Sequence, residues 1–232
     1  MGYFYYMDRG IGFAVQRMVD GLNSFPLLAV PLFILAAGIL NSAGITNHLF
    51  GFARALVGHV RGGLGHVNIL ASLFFSGMSG SALADAGGLG KMEIAAMREA
   101  GYDDEFAGAV TASSSLIGPL VPPSITMVLY GVIANVSIGQ LFLGGVVPGL
   151  LCAVALMIMV SIIAARRDYP KDERKNLGQI NTLFWKSLPA LLTPAVIIGG
   201  IFSGYFSPTE AAAVTVVYAI GIDLVFYREL TW

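Results

Sequence analysis

The chain has 232 residues, of which 56% are apolar and only 12% charged, and its formal net charge is −1. A soluble domain carries about 25% charged residues, so this composition, with a mean hydropathy of +0.76, points to a membrane protein. The near-neutral balance argues against a nucleic-acid partner, and the single cysteine, Cys152, excludes an internal disulfide and reads as a small buried hydrophobe.

Met1 opens directly into GYFYYMDRG, with no basic stretch followed by an apolar one, so this is not a signal peptide. Both ends read as cuts from a longer membrane protein. A spanning helix needs about 20 apolar residues, and 25–43 is the first candidate. Segment 45–61 differs. Leu49, Phe50, Phe52, Ala53, Leu56, Val57 and Val60 recur near helical spacing with Arg54 and Arg61 among them, which predicts an amphipathic helix at the membrane interface. Residues 66–90 are apolar but rich in Gly and Ser. Residues 105–134 form an apolar span interrupted by Gly118-Pro119-Leu120-Val121-Pro122-Pro123-Ser124. Its three prolines remove three N–H donors and clash with the helical turn before each. Backbone freed this way at membrane depth survives only where it is buried in protein or lines a wet cavity. Broken helices of this kind hold the ion and substrate sites of secondary transporters. Further spans are predicted over 138–165, 188–206 and 209–227. Between the last two, Ser207-Pro208-Thr209-Glu210 fits a capping box, and Glu210 reads as a cap rather than a proton carrier.

Lysine and arginine set the orientation. Arg166, Arg167, Lys171, Arg174, Lys175 and Lys186 fall in one loop, 166–187, which is placed in the cytoplasm. No Lys or Arg occurs over 99–165, so 138–165 enters from outside and 105–134 runs outward, leaving Lys91, Arg98, Arg54 and Arg61 inside. The span 209–227 then returns, leaving Arg228 inside; only Arg9 and Arg17 disagree. Residues 66–90 thus have cytoplasmic flanks on both sides and are predicted to be a re-entrant hairpin. Its tip is Ser76-Gly77-Met78-Ser79-Gly80-Ser81, small residues suited to a tight turn.

The hairpin tip and the break supply hydroxyls from Ser76, Ser79, Ser81, Ser113, Ser114, Ser115 and Ser124, and unwound carbonyls around Gly118, Val121 and Pro122. Neutral oxygens suit a monovalent cation such as sodium, whereas calcium wants several carboxylates and zinc or copper wants His or Cys. A helix restarting after Pro123 with Ser124 as its cap presents free N–H groups suited to an organic anion. Against this stands plain packing: Gly58-xxx-Gly62 and Gly77-xxx-Ser81 both fit the small-xxx-small pattern, and each serine taken singly is equally well read as helix–helix glue. Asp85 has two readings, lining the site or sitting lower on the hairpin and bonding freed backbone N–H groups; the second is preferred.

Two enzyme readings fail. Gly77-Met78-Ser79-Gly80 matches the G-x-S-G of rhomboid proteases, but His48, His59 and His66 all lie upstream, at the interfacial stretch or the start of the hairpin. Gly90-Lys91 is followed by Met92 and preceded at five residues by Asp85, so it is not a Walker A motif.

The strings FPLLAVPLFILAAGILNSAGIT, HVNILASLFFSGMSGSALADAGGLG, AAMREAGYDDEFAGAVTASSSLIGPLVPPSITMVLYG and SPTEAAAV closely resemble the large membrane subunit of TRAP (tripartite ATP-independent periplasmic) transporters, from about Gly21 to Trp232. The resemblance implies an all-α, multi-span bacterial inner-membrane transporter subunit of the elevator type, not an enzyme, built from inverted repeats with re-entrant hairpins and discontinuous helices. It implies sodium-coupled uptake of organic acids such as C4-dicarboxylates or sialic acid, with no cofactor beyond sodium as the coupling ion. A small four-helix membrane subunit and a periplasmic substrate-binding protein are the implied partners. By motif match, Ser76, Gly77, Ser79, Gly80 and Ser81 form the first hairpin tip. Ser113, Ser114, Ser115, Gly118, Pro119, Val121, Pro122, Pro123 and Ser124 form the broken helix, and sodium is assigned to Ser79, Ser81, Gly118 and Val121, with Asp85 nearby.

On this reading residues 1–64 are a scaffold helix and interfacial arm, and 65–165 a transport-domain repeat. Residues 166–187 are the cytoplasmic loop and 188–232 the start of a second scaffold repeat, the rest of which lies outside this chain. The competing expectations are another ion-coupled antiporter or exporter on a similar scaffold, and a non-transporting fragment.

Overall fold

A computed structural model describes residues 24–42 and 44–227, together with 12, 13, 15, 16 and 19. Arg9, Arg17 and Arg228 lie outside the described residues. Among the described residues there is no strand. A single 3₁₀ turn, Phe25–Leu28, leads into α1 (Ala29–Ser42). Then come α2 (Ile45–Val57), α3 (Gly63–Ser79), α4 (Ala82–Gly87), α5 (Leu89–Glu99), α6 (Asp104–Ser115) and α7 (Ile125–Ala134). Three long helices complete the described residues: α8 (Ile138–Arg167), α9 (Leu177–Phe202) and α10 (Pro208–Ile222), the last prolonged by a π turn over Asp223–Tyr227. The last three elements, counting α10 to Tyr227, are long and apolar enough to cross a membrane. The protein is an all-α membrane protein.

The first predicted span, 25–43, is a shorter element than expected. The segment Phe25–Asn41 joins α2 at a 71° bend, and only the two together are long and apolar enough to cross a membrane. Gly44 makes the bend, with φ of 61°. The amphipathic reading of 45–61 holds in period over Ile45–Val57, where the helix ends, and one apolar face of that helix meets protein. The apolar face of α2 (Ile45, Leu49, Phe52 and Ala53) is buried in protein, against α3 and α9. Phe52 lies between Phe74 of α3 and Phe184 of α9, at ring-centre distances of 5.9 and 5.7 Å. Periodicity marks a buried face without naming what buries it.

The predicted loop over 166–187 is also corrected, because only 168–176 is non-helical. Asn176 and Gln179 close a capping box that starts α9 at Leu177, well before its apolar stretch. The first turns read LGQINTLFWK, so hydropathy placed the start of this helix at 188, too far along. Lys186 therefore sits on α9. Elsewhere local chemistry and structure agree. Ser137 caps α8, and in the Ser207–Glu210 box the Ser207 N–H donates to Glu210 Oε2 at 2.7 Å while the Glu210 N–H donates to Ser207 Oγ at 3.3 Å.

The core centres on α3, which is buried along almost its whole length between α2, α5, α6 and α8. A second cluster joins α1, α7, α8, α9 and α10 through Phe33, Val128, Phe142, Ile197 and Ala212. At one end of the molecule the loop 168–176 is tied down. Asp172 accepts from Arg54 Nε and Nη2 at 2.6 and 3.0 Å, and its own N–H donates to the Gly58 carbonyl at 2.9 Å. Arg61 pairs with Asp168, Asp103 accepts from both Arg167 and Tyr169 Oη at 2.6 Å, and Tyr102 Oη donates to the Pro170 carbonyl at 3.0 Å. The three segments whose basic residues were placed in the cytoplasm thus meet at one end. Arg54, hydrogen-bonded to Asp172, holds that carboxyl below the ordinary aspartate range.

Candidate functional site

The hairpin tip and the break lie in contact. Helix α3 ends at Ser79, Gly80 turns the chain with φ of 60°, and Ser81 caps α4 by accepting from the Ala84 N–H at 3.3 Å. The turn proper is therefore Gly80–Ser81, and Ser76 to Ser79 form the last turn of α3. A Cβ at residue 80 would collide with the Pro123 carbonyl oxygen, and the Gly80 carbonyl accepts from the Ile125 N–H at 3.3 Å. Gly118 packs on the backbone of Ser81 and Ala82, with the space for its missing Cβ bounded at 3.2 Å. Backbone meets backbone at both positions, which is why small residues stand there.

The break is ordered by its own hydroxyls. Ser124 donates to the Pro119 carbonyl at 2.7 Å and accepts from the Met127 N–H at 3.2 Å, so it closes the turn and caps α7 at once. The Pro122–Pro123 bond is cis. Among the described residues no hydrogen bond is made to the Gly118, Val121 or Pro122 carbonyl.

The seven serines separate into distinct roles. Ser76 donates to the Ser72 carbonyl at 2.6 Å, Ser113 to Ala109 at 2.7 Å and Ser115 to Thr111 at 2.7 Å, all within their own helices. Ser114 is fully buried and bonded to Asn68 Oδ1 at 2.7 Å. Ser81 and Ser124 are caps. Ser79 alone among them is fully buried with a hydroxyl that has no hydrogen-bond partner. Gly77 packs against Pro194 of α9, and the side chain of Val121 against Gly149 of α8.

Asp85 departs from the preferred reading. It is buried at 1% exposure, and neither carboxylate oxygen has a hydrogen-bond partner, so it does not bond freed N–H groups. The Ser72 and Ser115 hydroxyls approach it, but they donate to Ser114 and to the Thr111 carbonyl. Glu93 on α5, not singled out from the sequence, is buried to the same degree, equally unpartnered, and within electrostatic reach of Asp85. Sequence reasoning also passed over Asn68, Ser72 and Thr111. The signal was present: Asn68, Ser72, Ser76 and Ser79 recur at four, four and three residues, a polar stripe down one face of an apolar helix.

A groove of about 450 Å³ opens beside the tip, lined by Asn41, Phe75, Ser79, Ser81, Leu83 and Ile125 among others. A hollow of about 540 Å³ elsewhere, lined by His48, Asn181, Trp185 and Lys186, contains none of the tip or break serines, and its size gives it no claim over the junction.

The chain matches the family described as "Tripartite ATP-independent periplasmic transporter, DctM component" over residues 2–232. It is 58% identical over 225 residues to the sialic acid TRAP transporter large permease protein SiaM of Vibrio cholerae, covering 96% of this chain and 52% of that protein. It is 40% identical over 214 residues to the C4-dicarboxylate TRAP transporter large permease protein DctM of Pseudomonas aeruginosa, covering 92% and 50%. It is 39% identical over 217 residues to the 2,3-diketo-L-gulonate TRAP transporter large permease protein YiaN of Escherichia coli, covering 94% and 51%. The chain spans about half the length of these relatives. A family match along nearly its whole length, together with the close likeness to permease proteins, establishes that the chain belongs to the DctM component family of tripartite ATP-independent periplasmic transporters.

Proposed function

We propose that this chain forms part of a sodium-coupled permease that takes up organic acids across the bacterial inner membrane by an elevator motion. In that reading α3 and α4 make a re-entrant hairpin, and α6 with α7 makes the discontinuous helix facing it. The observation that carries it is the junction: a fully buried, unpartnered Ser79 hydroxyl beside a break whose Gly118, Val121 and Pro122 carbonyls accept nothing. An oxygen set of this kind, orphaned in the protein alone, fits a sodium ion, and Ser79, Ser81, Gly118 and Val121 are the residues assigned to hold it. When bound, sodium supplies positive charge beside the site of an organic anion.

The protein's own part is to keep these oxygens buried and to pack the tip on the break through Gly80 and Gly118; the expected free N–H groups at the start of α7 are instead engaged, since those of Ile125, Met127 and Val128 donate to the Gly80 carbonyl, Ser124 Oγ and the Ser124 carbonyl. The groove beside Ser79 and Ser81, with Asn41 on its rim, is the proposed place of the substrate. The names of the relatives concern sialic acid, C4-dicarboxylate and 2,3-diketo-L-gulonate, all carboxylates. The higher identity to the sialic acid permease makes a carboxylated sugar the first substrate to test. A small four-helix membrane subunit and a periplasmic binding protein are the proposed partners.

The test is uptake by the full-length permease with both partners in proteoliposomes, with sialic acid and a C4-dicarboxylate as separate substrates. Uptake is expected to require sodium and the binding protein, and Ser79→Ala is expected to raise the sodium concentration for half-maximal uptake. Uptake at full rate in sodium-free buffer refutes the coupling.

A further inference from the structure

A buried amide on an otherwise apolar helix is expensive unless both its ends are bonded. Asn68 of α3 is completely buried, and both ends are bonded to a single turn of α6. Its Nδ2–H donates to Thr111 Oγ1 at 2.7 Å, and its Oδ1 accepts from Ser114 Oγ at 2.7 Å. Ser114 Oγ in turn accepts from Ser72 Oγ at 3.1 Å, so a second rung joins the same two helices one turn nearer the tip.

Two attachments three residues apart on α6, both made by one planar group, resist rotation of α6 about its own axis. A hydroxyl, which spins freely, would not resist it in this way. The turn so held runs into Ser115, where α6 ends and the break begins. Apolar side chains would hold the two helices together about as well, but without fixing their register.

We propose that Asn68 is a positioning residue: it sets the register of the first hairpin limb against the broken helix, and so the arrangement of the Ser79 hydroxyl and the Gly118 and Val121 carbonyls at the junction. This rests on the reading of that junction as a sodium site. Asn68 touches no ion itself. It acts through Thr111 and Ser114, and its loss loosens the oxygen set without removing any member of it.

The experiment uses the full-length permease with its partners in proteoliposomes, titrated with sodium, and in parallel the sodium-dependent rise in melting temperature of the purified protein. The variants are Asn68→Ala and the milder, near-isosteric Thr111→Val, which leaves no cavity if the first fails to fold. In both, the sodium concentration for half-maximal uptake and for half of the thermal shift is expected to rise about three- to tenfold, the scale of one or two lost buried hydrogen bonds. The maximal rate at saturating sodium is expected to stay within about twofold, since no interaction special to the transition state is removed. Adding Thr111→Val to Asn68→Ala should add little, because both cut the same Asn68–Thr111 bond. An unchanged sodium requirement, or a fall in maximal rate with the sodium requirement unaltered, overturns the positioning role. Sodium independence of the wild type is a separate result and overturns the reading of the junction instead.

Discussion

Replacing Gly80 by alanine puts a methyl group into the contact between the hairpin and the break. Two costs add. Residue 80 has φ of 60°, where an L side chain costs about 1–2 kcal/mol. The new Cβ also meets the Pro123 carbonyl oxygen, which is backbone and cannot swing aside as a side-chain end could. Relief requires the tip to back away from the break, which breaks the bond from the Ile125 N–H to the Gly80 carbonyl, worth about 0.5–1.5 kcal/mol. The sum is a loss of about 1.5–3.5 kcal/mol, read as a lower melting temperature of the purified full-length protein in sodium-free buffer. Gly108→Ala is the control. That glycine lies within α6, has nothing within 4 Å of its missing Cβ and has no positive φ, so alanine there is expected to be neutral or to stabilise by up to about 1 kcal/mol. Equal melting temperatures for Gly80→Ala and Gly108→Ala would refute the claim that the tip and the break meet backbone to backbone.

Three further changes probe other parts of the structure. Ser207→Ala removes one arm of the α10 capping box and should cost about 0.5–2 kcal/mol in thermal or denaturant unfolding; an unchanged midpoint would mean that the cap does not hold in the membrane. Glu93→Gln replaces a buried, unpartnered carboxylate by an amide that can donate, and is expected to raise stability by about 1 kcal/mol or more, whereas a clear loss would reveal a partner for the carboxylate. Arg54→Gln cuts the tie to Asp172, a half-exposed bidentate pair worth about 0.2–1 kcal/mol. Because the Asp172 carboxyl is held low in the folded protein, its contribution is present above the ordinary aspartate value of about 4 and lost as the pH falls through the lower folded value. The gap in melting temperature between wild type and Arg54→Gln should therefore be constant near neutral pH and close in acid; a gap that widens in acid contradicts the pairing.

What could be read from the chain alone divides along physical lines. Features set by neighbours in sequence were legible: the break at Pro119 to Pro123, the caps at Ser124 and Ser207, and a tight turn somewhere within Ser76 to Ser81, which the structure narrows to Gly80 and Ser81. Helix α9 was misplaced at its start because its first turns are polar, and a hydropathy window sees lipid preference rather than helix formation. The packing of α2 on Phe74 and Phe184 was not legible, because an apolar stripe is the same against lipid and against protein. Within the candidate site, the serines were found by type, yet only the fold shows that Ser114 is engaged while Ser79 is not. Asn68 and its partners lie 43 and 46 residues apart in sequence, and nothing local announces such a pairing.

The tied loop at the end of α8 sets a mechanical limit. Asp168 to Asp172 are held by ion pairs and hydrogen bonds to α2, to the α2–α3 turn and to the α5–α6 turn, and α9 begins at Leu177. Only residues 173–176 are left free between Asp172 and Leu177, and the five Cα–Cα steps from one to the other reach at most about 18 Å. With these ties closed, the start of α9 stays within that leash of the α2–α8 anchor. Any larger displacement at this end must first unhook Arg54 from Asp172 or unwind the first turn of α9.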